Sequence, residues 1–451
     1  MANEVIDYAV WPGVVKAGDK TEVYIQPKGG HARFDCRFRN WGWTKKWNNL
    51  YADAYDTPDV SVKYKIYILP MEESNEPDVW QHYPYVVPVL TEDGGLKFSY
   101  TFAREQEYIL AVEENDSGTQ KLRLRIYAVN EDLYGLRAYK GDMHVHSHYS
   151  DGREAPEFVA ANYRQAGFDF MSQTDHHKYF PSVKLMNAFK DIPVGIKFYP
   201  GEEVHEPGGY IHVINFGGSF SVNEYYLENK EACDCEIDEI KNTLIKISDE
   251  AERLDVARRI WVSEQIKRGG GLSVLVHPHW INMAYNMRDS VTDYLFEHQV
   301  YDAFELLGGQ SVRENNIQIA FYEEQLMKGR TIPVLGLSDS HGTEPPVCFR
   351  QCCTIVLSED DSFNALVKGI KDYRCVAVDE YPKEDYRVYG RYRMVKYCRY
   401  LLDTYFPVHD SLCAEQGRLM KDIICGDENA AAVLELIKDR VNQYADKFFG
   451  K

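Results

Sequence analysis

The chain has 451 residues, 44% of them hydrophobic and 27% charged, an ordinary globular balance that excludes a disordered polymer. Its 51 Lys plus Arg stand against 70 Asp plus Glu, a formal charge of −19, which disfavours nucleic-acid polymers and anionic membranes as partners. No run of about 18 apolar residues is available to span a bilayer, and the length predicts about three domains.

Met1 to Val10 carries Glu4 and Asp7 and lacks the basic and apolar regions of a signal peptide, so a cytoplasmic protein is expected. The ten cysteines show no paired C-x-x-C spacing, which predicts free thiols rather than a cysteine zinc site. Residues 1–137 read as a β-sandwich-like accessory domain. Strands are predicted at Glu22–Gln26, Ser61–Leu69, Leu96–Phe102, Glu107–Val112 and Lys121–Val129. The connectors Pro27-Lys28-Gly29-Gly30, Glu92-Asp93-Gly94-Gly95 and Asn115-Asp116-Ser117-Gly118 are turn chemistry.

From Ala138 the pattern changes. A strand near Asp142–Val145 precedes a helix at Ala155–Ala166, and strands follow at Phe168–Ser172, Lys197–Tyr199 and Tyr210–Phe216. Asn223–Ser248 is acidic and reads as an irregular insertion, at about 217–250. Asp249–Arg268 is a long helix, stopped by Gly269-Gly270-Gly271. Strands at Leu272–Val276, Asp302–Leu307, Ile332–Leu337 and Thr354–Leu357 complete the set. This alternation predicts βα units and a mostly parallel sheet or barrel over 138–382. After Tyr381-Pro382, helices are predicted at Arg391–Tyr405, Ser411–Ile424 and Glu428–Phe449. They form a C-terminal extension, 383–451, that packs on the barrel or makes a homo-oligomer interface.

Ten of the 14 histidines fall in six short clusters. In Gly141-Asp142-Met143-His144-Val145-His146, residues i and i+2 of an extended segment share a face, so His144 and His146 project together and can chelate one ion. Asp151 on the next turn adds a hard anionic ligand. Thr174-Asp175-His176-His177, Gly201-Glu202-Glu203, His277-Pro278-His279 and Ser338-Asp339-Ser340-His341 each follow an apolar run, while His212 lies within one. The C-terminal ends of parallel strands converge on one face, so these motifs are predicted to meet at one rim.

These motifs, in this order over about Gly141 to Asp379, resemble those of the PHP (polymerase and histidinol phosphatase) superfamily of metallohydrolases. The resemblance implies an α/β fold, a distorted (β/α)7 barrel here flanked by the β-sandwich and the helical extension. It implies two or three divalent ions, Zn, Mn or Fe. His144, His146 and Asp339 would hold one ion; Glu203, His212 and His277 a second, with Glu203 bridging; and Asp151, His176 and His341 a third. His148, His205, His279 and Arg313 are candidate proton donors or substrate contacts. His177 and Glu305 are expected to support ligands.

Clustered divalent ions generate hydroxide near neutral pH and polarise a phosphoryl or carbonyl oxygen. No GxSxG motif or glycine-rich phosphate loop offers another chemistry. The expected reaction is hydrolysis of a small-molecule substrate, foremost a phosphate ester or nucleotide. The Arg that many phosphatase relatives carry just after His-Pro is absent; Arg153, Lys178, Arg288, Arg313 and Arg350 are the available substitutes. The layout also looks like a branch of carbamate and ester hydrolases, so an ester, carbamate, amide or sugar derivative is the alternative substrate. A non-catalytic metal-binding interaction protein is the alternative of another class.

Overall fold

The computed structural model describes residues 7–29, 32–35, 63–75, 79–118, 120–205, 212–380 and 385–451. Gly30, Cys36, Ser61, the Tyr210-Ile211 start of one expected strand and the Tyr381-Pro382 boundary lie outside the described residues. The chain forms two compact units. One takes in Met1–Leu136, Arg399–Val408 and Asn442–Lys451; the other takes in Arg137–Cys398 and His409–Val441.

In the first unit, alternation of apolar and polar residues produces two sheets with one buried face each. A four-stranded antiparallel sheet runs in the order Tyr8–Trp11, Lys20–Pro27, Leu96–Thr101, Val89–Leu90. A five-stranded sheet runs Val14–Lys16, Gln120–Val129, Gln106–Glu114, Tyr64–Pro70, Tyr85–Val86. Every second residue points inward: Val23, Ile25, Leu96 and Phe98 from one sheet meet Ile66, Ile68, Leu110, Val112, Leu124 and Ile126 from the other in a single core. Asn115 and Asp116 take positive φ at the predicted turn. Within the same unit Arg125 joins Glu107 to Asp403, and the Tyr400 hydroxyl donates to the Gly13 carbonyl at 2.6 Å.

The second unit is mixed α/β. Its six-stranded sheet runs Lys197–Tyr199, Phe170–Ser172, Arg137–Asp142, Cys352–Ser358, Cys375–Asp379, Arg387–Tyr389. The first three strands are parallel and the remaining pairings antiparallel. A five-stranded sheet runs Gly201–His205, His212–Phe216, Leu272–Leu275, Ala303–Leu307, Val334–Gly336, with its first three strands antiparallel and the rest parallel. The expectation of a mostly parallel sheet is thus corrected. Chain length explains one pairing: too few residues separate His205 from His212 for a helical crossover, so those two strands pair antiparallel, whereas His212–Phe216 and Leu272–Leu275 do so although helices connect them. Phe170, Phe216, Leu272, Val274, Ala303, Leu335 and Val356, drawn from both sheets, share one core. The Thr354 hydroxyl spans the sheets, accepting from Gly336 N at 3.1 Å and donating to Gly336 O at 2.9 Å. Isolated parallel bridges join Val145 to Ser340 and His176 to Glu203.

Three further expectations need correction. Asn223–Ser248 is helical, as Val222–Glu228 and Lys230–Thr243. Ser221 caps the first helix, and Tyr226, Cys233 and Ile237 bury in one core with Trp261. The predicted helix Glu428–Phe449 is two, Glu428–Ile437 and Arg440–Phe449. The ladder of the strand expected at Asp142–Val145 covers Arg137–Asp142 instead. The long helix fits its forecast: Glu250–Arg268 starts on the Asp249 side chain, which accepts from Glu252 N at 2.7 Å, and Gly270 follows its end at φ +76°. Among the described residues no helix is long and apolar enough to cross a membrane.

Candidate metal centre

His144 and His146 lie just beyond a ladder end, in backbone held extended by the Val145–Ser340 bridge. Met143 and Val145 alternate with them and are fully buried in the apolar interior. The two imidazoles therefore face the same way, as the i, i+2 spacing requires. Their Nε2 atoms lie 3.2 and 3.1 Å from Asp339 Oδ1, and 3.5 and 3.4 Å from Glu203 Oε2.

Glu203 is the hub. Strand alternation sends Glu202 and Glu203 to opposite faces. Glu202 accepts from the Ser221 hydroxyl, Val222 N and Asn223 Nδ2, which ties the strand to the next helix. Glu203 points inward. Its Oε2 lies 2.7 Å from His176 Nδ1, and its Oε1 lies 2.7 Å from His212 Nδ1 and 3.4 Å from His277 Nε2. Gly201 lets the strand approach so closely, because a Cβ there would sit 2.3 Å from Ser172 Oγ and 2.6 Å from Asn215 O. Further out, Asp151 Oδ2 lies 3.2 Å from His341 Nε2 and 3.5 Å from His176 Nε2. All nine side chains named as ligands thus gather in overlapping groups: His144 with His146 and Glu203; His144 with His277 and Asp339; His176 with Glu203, His205 and His212; and His146 with Asp151, His176 and His341.

Several donor atoms of this cluster lie close together without pairing. His144 Nε2, His146 Nε2, His212 Nδ1 and both Glu203 oxygens are buried and make no hydrogen bond among the described residues. Each such orphan costs about 1–3 kcal/mol, a cost that a divalent cation would remove. Burial opposes ionisation of Glu203, yet His212, His176 and His144 hold its carboxyl well below the usual carboxylate range. Asp339 is likewise pushed down against its burial, by His144 and His146. Burial opposes protonation of His144, but Asp339 and Glu203 raise it well above its ordinary value. Carboxylates that stay ionised and imidazoles that compete for protons are the donor set a divalent ion binds by displacing those protons. His277 and Asp339 take φ of +27° and +52°, a conformation costing about 1–3 kcal/mol per residue and tolerated where surrounding structure demands it.

The supporting shell was only partly legible in the sequence. His144 Nδ1 meets Glu305 Oε2 at 2.8 Å, the expected support, with Glu305 fully buried. Two carboxylates that had no assigned role carry the loops. Asp142 accepts from His144 N, Ser338 N and the Tyr163 hydroxyl, linking the first and last motifs. Asp175 accepts from the amides and hydroxyls of Ser147 and Ser150. Each precedes a histidine in its own motif by one or two residues, the one signal that could have singled them out. Asp175→Ala is expected to weaken metal binding about 10- to 100-fold, the range for such supports, as read by metal titration of the folded variant.

The other sequence candidates lie apart from these groups, except His205. His148 is exposed, with its amide on Glu154 O and its ring 4.3 Å from that of Tyr149. His177 is exposed at φ +59° and its ring lies tilted against that of His205 at 3.9 Å. His279 is buried between Tyr285 and Phe321, with Nε2 3.7 Å from Asp289. Arg313 is exposed in the first turn of helix Val312–Met327. Of the cationic substitutes, Arg288 pairs with Asp249 and Glu252, Arg350 pairs with Glu380, and Lys178 donates to Tyr149 O.

No protein-family model and no curated protein matches this sequence. Among solved structures, the chain is similar to a two-domain protein of Bacteroides vulgatus containing a predicted PHP-like metal-dependent phosphoesterase. Identity is 17% and the TM-score 0.39, over 54% of this chain and 66% of that one, just under two thirds of its length. It is also similar to a protein of Bifidobacterium adolescentis assigned as a metal-dependent phosphoesterase, at 16% identity and TM-score 0.35, over 51% of this chain and 96% of the other. A third is an amidohydrolase of Chromobacterium violaceum bound to sulfate, at 17% identity and TM-score 0.31, over 46% and 89%.

Proposed function

We propose that the chain is a metal-dependent hydrolase of PHP type, acting on a small phosphate ester at a centre of two or three divalent ions. The observation that carries this reading is the buried Glu203 carboxylate, unbonded and ringed by five imidazoles from four separate motifs. The proposed fold of the second unit is a distorted seven-stranded barrel, in which the bridges Val145–Ser340 and His176–Glu203 continue the strands where the ladders stop. His144, His146 and Asp339 would hold one ion, Glu203, His212 and His277 a second, and Asp151, His176 and His341 a third. Bound there, Zn, Mn or Fe would supply Lewis acidity and an acidified water. The chain's own part is orientation. Glu305 fixes the His144 ring, Asp142 and Asp175 hold the loops, and the apolar residues beneath keep bulk water from the inner groups. Turnover of an aryl phosphate by metal-loaded protein, lost on chelation, tests this reading. A metal-full protein inert on phosphoesters would overturn it.

A second reading, hydrolysis of an ester, carbamate or amide, draws on one observation. Three cations that could clamp a phosphate are engaged elsewhere, while an aromatic flanks the centre. The Trp280 ring lies 5.9 Å from that of His277 and 6.4 Å from that of His212, and is 38% exposed. On either reading Trp280→Ala is expected to raise KM roughly ten-fold for substrates with a ring near the scissile bond, the scale of one aromatic contact. KM for a methyl-substituted analogue and the metal content should stay unchanged. Equal effects on both substrates would remove Trp280 from substrate binding.

A further inference from the structure

His205 has no place in the ligand set that the motifs imply, yet it is built into the centre. Its Nε2 lies 2.7 Å from His176 Nδ1, aligned as a hydrogen bond. Its ring is packed between His177, at 3.9 Å, and His212, at 4.2 Å, and its amide donates to Asn223 Oδ1 at 3.2 Å. Two nitrogens that share one metal at about 2.0–2.1 Å each stand roughly 3 Å or more apart. At 2.7 Å and aligned as a hydrogen bond, which the equally close Glu203–His212 pair is not, these two rings share a proton instead. The tautomer with His176 Nδ1 as donor leaves His176 Nε2 for Asp151 and His341.

We propose that His205 is the positioning residue of the outermost ion, orienting His176 towards Asp151 and His341, and that this ion is the exchangeable member of the centre. The proposal rests on the metal reading above. Ligating histidines commonly donate their second N–H to a carboxylate, which strengthens them as ligands; His176 Nδ1 stands 2.7 Å from both Glu203 Oε2 and His205 Nε2, but only the His205 contact is aligned as a hydrogen bond, so its acceptor is an uncharged imidazole. The outer group is also the most open. The Asp151 side chain is 56% exposed and is the sole carboxylate in its group, whereas Glu203 and the His144 and His146 rings are fully buried. One exposed carboxylate therefore sets the charge of the outer position, while Glu203 and Asp339 serve the inner ones.

The test is titration of the full-length, metal-stripped protein with Mn(II), following bound and free ion by electron paramagnetic resonance. Wild type is expected to fill its inner positions first and a last one at least ten-fold more weakly. Asp151→Ala should remove that last phase, identifying it. His205→Leu should weaken the same phase 10- to 100-fold and leave the inner phases intact, which also reports correct folding. His205→Gln, whose amide oxygen can still accept from His176, should restore affinity to within about three-fold. An unchanged titration in His205→Leu, or loss of every phase, overturns the positioning role. Failure of His205→Gln to restore the phase would make His205 a direct ligand and overturn the proposal too. Wild type that binds no Mn(II) at all would instead overturn the metal reading on which it rests.

Discussion

Glu203→Gln is expected to drop turnover to that of chelator-treated protein and to abolish the stabilisation conferred by added metal. The substitution keeps the side chain's volume and removes its charge. Five imidazoles stand within 3.5 Å of that carboxylate, so no other single group serves as many positions. A ligand present at a hundred times its Kd stabilises the folded state by about 2.7 kcal/mol. Wild type should therefore melt several degrees higher with saturating Mn(II), and Glu203→Gln should melt at the same temperature with or without it. Retained turnover with a full metal complement would show that Glu203 bridges nothing.

Arg164→Met is expected to destabilise the second unit by about 3–5 kcal/mol while leaving metal content unchanged. Arg164 is 1% exposed. Its guanidinium reaches Asp169 at 3.1 Å, the Phe168 carbonyl at 2.9 Å and Gln416 Oε1 at 2.8 and 2.7 Å. Asp169 also holds His409 at 2.9 Å, and Asp410 joins His409 to Lys140. Removing one partner from such a buried network strands the others, and breaking a buried pair typically costs that much. Urea unfolding measures the loss, and a change below about 1 kcal/mol would show that Arg164 is dispensable. The cluster of Asp169, His409 and Cys413 has metal-like composition, but both His409 nitrogens already face carboxylates and Arg164 supplies the counter-charge.

The same network predicts a pH dependence. Burial opposes protonation of His409, but Asp169 and its neighbours raise it well above its ordinary value. A raised group stabilises fully below its unfolded value, near 6.5, and its contribution is lost as pH rises through the folded value. Burial pushes Asp169 up, but His409 and Arg164 bring it lower overall. Its contribution is present above its unfolded value, near 3.9, and is lost as pH falls. The stability gap between wild type and His409→Gln should be widest between about pH 4 and 6.5. It should narrow above that range and in stronger acid. A gap that grows steadily towards pH 9 would contradict the assignment.

What the sequence disclosed and withheld follows from how local each signal is. His144 and His146 were legible because i, i+2 geometry is a property of any extended segment. The same periodicity placed the inward residues of the first unit. Pairing direction was not legible, because it depends on which strand lies alongside: Gly201–His205 and Cys375–Asp379 went unpredicted, and both pair antiparallel. The helix Lys230–Thr243 could have been found, since Cys233, Ile237 and Ile240 recur at i, i+4 and i+7 beneath its acidic surface. His205 stood out as one of the clustered histidines, but its partner His176 is 29 residues away. Arg164 and Gln416, 252 residues apart, carry no local signature.

The central claim is that divalent ions occupy the space around Glu203. An anomalous difference map from crystals grown with Mn(II) tests it most directly. The account predicts two or three peaks within about 2.3 Å of the side-chain atoms named above, with Glu203 touching at least one of them. A protein crystallised in saturating Mn(II) with no peak beside Glu203 would contradict it.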